Sequence, residues 1–286
     1  MPSTSYHLHL PDAFTSCVVF ASPHSGRDYP WSFLRGTVLD DHTIRSSEDA
    51  FVDRLFDCVP QFGAAFLRAG APRAYVDLNR ASDELDPALI EGVSKRSHNP
   101  RIASGLGVVP RVVANGRAIY RGKLPMAEAD RRIARIWKPY HDKLTDLLAQ
   151  SRAQFGCSVL IDCHSMPHEA VRNTTSKGAP PQIVIGDRFG ASAASDVVDQ
   201  VEAAFERVGL RVARNAPFAG AYIAQHYGRP SQNQHAIQIE IDRSVYMDEA
   251  AVRPNGDFHT FRKVLRGVTA ELAAIGHHGT DQLAAE

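Results

Sequence analysis

A chain of 286 residues, 44% of them hydrophobic and 22% charged, is long enough for one large α/β domain or two small ones and needs no staple to build a core. Its 32 lysines and arginines cancel 32 aspartates and glutamates, so no global field recruits nucleic acid or an anionic membrane, and a small-molecule partner is the default. No stretch approaches the roughly 18 apolar residues of a membrane span, and the N-terminus lacks the basic start and apolar run of an export signal, which predicts a cytoplasmic protein.

The first apolar run, Cys17 to Ala21, reads as a buried strand and stops at Pro23, with His24, Ser25 and Gly26 behind it. Ser47 to Val59 has helical spacing, with Ser46 or Ser47 as the N-cap and Glu48, Asp49 and Asp53 near its start. Strands are predicted at Ala64 to Leu67 and at Ala74 to Leu78, the second preceded by Arg73 and ended by Asn79 and Arg80. Ala81 to Gly122 holds no periodic element, and a loop region that long inside a compact domain points to function. Pro125 to Phe155 carries a helical stripe with a kink or break expected at Pro139. Ser158 to Ile161 is a strand that runs into Asp162 and His164. Gln182 to Ile185, Leu210 to Ala213 and Ala236 to Ile241 are further strands, the last containing Glu240, and Ala191 to Val208 and Phe258 to Ile275 are helices. Alternating strands and helices predict an α/β sandwich around a mixed sheet. No repeat or linker divides the chain, so a single domain over 1–286 is expected, and four cysteines without CxxC spacing suit reduced core thiols.

Ligands collect at the carboxyl ends of strands in open α/β sheets, and several polar residues stand there. One histidine at a strand end is ordinarily a loop hydrogen-bonder. Two strands ending in PHSG and DCHS shift the balance toward a metal, because two imidazoles on rigid strand ends can converge on one ion. Asp162 either orients His164 or caps the turn. A catalytic zinc commonly adds a carboxylate as third protein ligand, and Glu48, Asp49 and Asp53 are all on offer, although acids near a helix start also suit its dipole. Arg73, Asn79 and Arg80 gather at one strand's ends, and the planar guanidinium suits a carboxylate partner. Glu240, within an otherwise apolar strand, is either half of a buried ion pair or, beside a metal site, a general base.

In order along the chain, PHSG, SEDAFVD, RAYVDLNR, WKPYHDKL, IDCHSMP, GDRFG, GAYIAQHYGRP and HAIQIEIDRSVYMDE resemble the N-formylglutamate amidohydrolase family, from about Ala21 to Glu249. The resemblance implies a three-layer α/β/α sandwich, phosphorylase/hydrolase-like and similar to zinc carboxypeptidases. It implies Zn2+, or another divalent metal, on His24, Asp49 and His164, with Glu48 the rival of Asp49. Glu240 would be the general base, Asn79 and Arg80 would grip a substrate carboxylate, and Arg73 would polarise the scissile carbonyl. The implied substrate is an N-acyl amino acid, N-formyl-L-glutamate first, cleaved to formate and L-glutamate as in histidine degradation, by a monomer or small homo-oligomer. Tyr222, His226 and Arg229 are expected to close over the acidic side chain. The loop departs from the pattern GGYITRHYG of histidine-degradation members, with Ala221 in place of a glycine and Gln225 in place of an arginine, which bears on the substrate.

Overall fold

The computed structural model describes residues 2–94, 99–172 and 178–276. Seven strands form one sheet: β1 Tyr6–His9, β2 Val18–Ser22, β3 Ala65–Ala69, β4 Ser158–Met166, β5 Ile183–Gly186, β6 Val212–Arg214 and β7 Gln234–Asp242. Their order is β1-β3-β2-β4-β7-β5-β6. β2 and β7 both run parallel to β4, whereas β5 is antiparallel to β7 and parallel to β6, so the sheet is mixed. The strands β2, β4 and β5 are buried throughout, which is why each reads as a near-continuous apolar run in the sequence. The α/β class and mixed sheet are as expected.

By contact the chain divides into two compact units. The first comprises Met1–His7, Pro23–Ala50 and Arg68–Lys143. The second comprises Leu8–Ser22, Phe51–Leu67 and Leu144–Glu286. In the second, the helices Ser195–Glu206 and Phe258–Ala273 pack on each other, and the short helix Tyr222–Tyr227 packs on β7 and β4. The first unit is loop-rich, and polar bonds tie its loops around buried apolar residues such as Ile90, Val108 and Ile119. Arg111 Nε donates to Asp86 Oδ2 at 2.8 Å, the Val108 N–H donates to the Glu84 carbonyl at 2.8 Å, and Asn99 caps the helix Pro100–Ala103.

Two expectations need correction, the one at Pro139 is refined, and one edge strand carried no sequence signal. Ala74 to Leu78 is not a strand: Tyr75 and Val76 both donate to the Pro72 carbonyl, and Asp77 accepts from the Asn79 N–H at 2.8 Å, so local turns consume the ladder groups. Only Val52–Leu55 of Ser47 to Val59 is α-helical, because Phe51 stands in the left-handed region at φ 67° and separates Glu48 and Asp49 from the helix. The kink or break expected at Pro139 takes the form of a π-helical turn over Ile133–Trp137 that runs on into the helix Lys138–Phe155. Pro139 removes the bond to the carbonyl of Arg135 and crowds it, and the widened turn accommodates both effects. The edge strand β1 was missed, its four residues being too short and too exposed to give an apolar run.

Candidate functional site

In the first unit the site begins where β2 ends. The PHSG turn lies close to the segment that follows β3: a Cβ added to Gly26 would lie 2.0 Å from the Ala71 carbonyl oxygen, so only glycine fits. His24 is buried in that turn, and its two ring nitrogens face two carboxylates. Nε2 lies 2.7 Å from Asp77 Oδ1 and Nδ1 lies 3.4 Å from Asp49 Oδ2. The Asp49 N–H donates to the His24 carbonyl at 3.0 Å, which ties the acid's backbone to the histidine's. The neighbouring Glu48 is differently engaged. Its carboxylate accepts from Tyr29 Oη at 2.6 Å and from Arg45 Nε and Nη2, both at 3.0 Å.

Asp77 joins the histidine to the arginines. Burial opposes its ionisation, yet Arg73 and His24 beside it hold the carboxyl well below the usual carboxylate range. Arg73 Nε donates to Asp77 Oδ2 at 3.0 Å. Asn79 and Arg80 follow on the same turn, both buried. Arg80 Nε donates to the Leu106 carbonyl at 2.9 Å, so the long irregular segment supplies part of the arginine's cradle. Burial pushes the Arg80 pKa down, Asp77 opposes that, and Arg73 and Arg101 add to it. A buried guanidinium cannot neutralise itself, so this environment favours an anion as partner. The turn is fixed from behind by the helix: Trp137 Nε1 donates to the Arg80 carbonyl at 2.8 Å, and His141 Nε2 lies 2.9 Å from the Leu78 carbonyl. A carbonyl only accepts, so His141 carries its proton on Nε2.

In the second unit, the register of β4 and β7 sets His164 opposite Glu240 and Asp162 opposite Gln238. All four side chains are buried. His164 Nε2 lies 3.0 Å from Asp162 Oδ2. Glu240 Oε1 accepts from Gln238 Nε2 at 2.8 Å, and Gln238 Oε1 accepts from the Ala221 N–H at 3.1 Å. Ala221 opens the helix Tyr222–Tyr227, on which the Tyr222 and His226 rings stack with centroids 5.0 Å apart. Burial, with help from Arg229, lowers the His226 pKa. The Arg229 guanidinium turns back on that helix, where Nη1 donates to the carbonyls of Gln225 and Gly228 at 2.9 and 2.6 Å.

His24, Asp49 and His164 each offer a ligand atom, and these atoms lie within 4.8 Å of one another. Two imidazoles and a carboxylate are the donors a zinc-like ion takes, so the residues present fit such an ion and form a candidate metal site. Neither Glu48 nor Asp53 belongs to that group. Asp77, Gln238, Trp137 and His141 escaped the sequence reading as parts of the site. Their signals were slight: an acid two positions before Asn79, an amide two positions before Glu240, and an aromatic–histidine pair at i, i+4.

A sequence model described as N-formylglutamate amidohydrolase matches residues 16–247. The chain is 32% identical over 241 residues to an N-formylglutamate deformylase of Pseudomonas aeruginosa, covering 82% of this chain and 83% of that protein. It is 28% identical to an N-formylglutamate deformylase of Pseudomonas putida, covering 81% and 82%. The crystal structure of an N-formylglutamate amidohydrolase from Ralstonia eutropha superposes with a TM-score of 0.89 at 35% identity, covering 96% of this chain and 99% of that one.

Proposed function

The chain belongs to the N-formylglutamate amidohydrolase family, and we propose that it hydrolyses N-formyl-L-glutamate to formate and L-glutamate, with Zn2+ held by His24, Asp49 and His164. The observation that carries this reading is the buried group of two imidazoles and a carboxylate, all within the matched residues. The match also runs through segments of both units, which supports one functional domain.

When bound, zinc lowers the pKa of water to about 7 and polarises an acyl oxygen. The remaining work falls to the chain's own side chains. Glu240 takes the proton of the attacking water and delivers it to the departing amine nitrogen. Arg80 and Asn79 hold the α-carboxylate of the substrate, and Arg80 is suited to this because its buried charge gains from an anionic partner. Arg73, oriented by its bond to Asp77, supplies positive charge toward the acyl oxygen as it becomes an oxyanion. Tyr222 and His226 line the approach for the substrate's side chain. Arg229, turned onto its own helix end, braces that approach instead of reaching across it.

The test is formate release from N-formyl-L-glutamate, before and after chelation and zinc return. The expected result is turnover that is lost on chelation and recovered with zinc. Turnover indifferent to chelation would remove the metal from the reading. Zinc-dependent turnover of other N-acyl amino acids with none of formylglutamate would assign the changed positions Ala221 and Gln225 a different substrate.

A further inference from the structure

We infer that Gln238 is a positioning residue of this site, holding the Glu240 carboxylate in the orientation proton transfer needs and coupling it to the loop that opens at Ala221. The inference rests on the proposed role of Glu240 as general base.

Strand periodicity puts Gln238, Glu240 and Asp242 on one face of β7, and all three are buried. An amide and two carboxylates crowded on a buried face are costly unless each finds partners. Asp242 finds them outside the strand, accepting from the Ser244 N–H and lying 2.9 Å from His168 Nδ1. The amide of Gln238 answers on two sides at once. A backbone N–H can only donate, so the atom 3.1 Å from Ala221 N is the amide oxygen. The amide nitrogen is thereby turned to Glu240 Oε1 at 2.8 Å. The orientation of the amide follows from the chemistry of its neighbours.

A carboxylate pinned at one oxygen by an N–H donor loses its freedom to rotate, so its second oxygen keeps a fixed direction. General base catalysis depends on that direction, because the proton must be within hydrogen-bond reach. The other end of the amide fixes the loop. Gly220 turns the chain at φ 102°, and Ala221 then presents its N–H to Gln238 immediately before Tyr222. One side chain therefore links the position of the substrate loop to the aim of the base.

Two substitutions separate the two bonds. Gln238→Glu keeps the shape and an oxygen for the Ala221 N–H, and sets a second carboxyl against Glu240 in place of the amide donor. Gln238→Leu removes both bonds. On N-formyl-L-glutamate, with metal content and melting midpoint measured alongside, Gln238→Glu is expected to lower kcat about 10- to 100-fold, part of the general-base factor, with KM near that of the unaltered protein. Gln238→Leu is expected to lower kcat similarly and also raise KM. Full metal content in both variants supports positioning. The inference is overturned if Gln238→Glu turns over within about twofold of the unaltered protein while Glu240→Gln is inactive. It is equally overturned if activity falls only in step with lost metal or folded protein. Normal turnover by Glu240→Gln would overturn the reading of the base itself, and this inference with it.

Discussion

His24 divides its two nitrogens between different tasks. Nε2 meets Asp77 at 2.7 Å, which leaves Nδ1 on the side of Asp49. A histidine ligand whose far nitrogen donates to a carboxylate is fixed in tautomer and ring orientation and is a better electron donor. Asp77 is itself held by Arg73 and by the Asn79 N–H, so the same carboxylate meets the proposed ligand His24 and ties down the turn that carries Asn79 and Arg80. Asp77→Asn is expected to weaken metal binding about 10- to 100-fold without unfolding the protein, as measured by zinc competition with a chromophoric chelator. Unchanged zinc affinity would show that Asp77 serves only the arginines. The histidines could be read from the sequence because each stands next to an apolar run, His24 just beyond β2 and His164 within β4. Asp77 could not, since it hid inside a run taken for a strand whose residues in fact form turns.

At the scale of elements, the helix around Trp137 and His141 acts as a backstop for the turn at Leu78 to Arg80. The i, i+4 spacing places both rings on one face, with centroids 4.0 Å apart, and each meets a carbonyl of the turn. The π-helical turn that ends at Trp137 accommodates Pro139 without ending the helix. Trp137→Phe keeps an aromatic ring and deletes one hydrogen bond, at a cost of about 1 kcal/mol in stability. The expected outcome is a raised KM with kcat little changed, because the Arg80 backbone is loosened while the proposed base Glu240 and the proposed ligands His24, Asp49 and His164 are untouched. A variant with normal KM would restrict Trp137 to packing. The helix itself was legible from its stripe of apolar residues. Its purpose was not, because the carbonyls it serves lie more than fifty residues away in the sequence.

For the molecule as a whole, the charges balance and, among the described residues, no helix is long and apolar enough to cross a membrane. Stability is expected to be linked to the metal. An ion that binds only the folded chain adds about 2.7 kcal/mol when present at about 100 times its dissociation constant. The melting midpoint should therefore fall by several degrees on chelation and return with zinc, as followed by circular dichroism; a midpoint that ignores both treatments would count against the His24, Asp49 and His164 group. The sequence by itself determined the elements whose signal is local: the strands β2, β4 and β7, the long helices, and the residues His24, His164 and Glu240 carried on or just beyond those strands. Tertiary structure alone groups Asp49 with the two histidines and sets Asp77, Gln238 and Trp137 against His24, Glu240 and Arg80. Apolar periodicity is written in neighbouring residues, whereas partner choice depends on how distant segments return. The left-handed turn at Phe51 sets Asp49 apart from the helix that follows, while Arg45 and Tyr29 occupy Glu48, and the contacts with Tyr29 and His24 form only when the chain folds back.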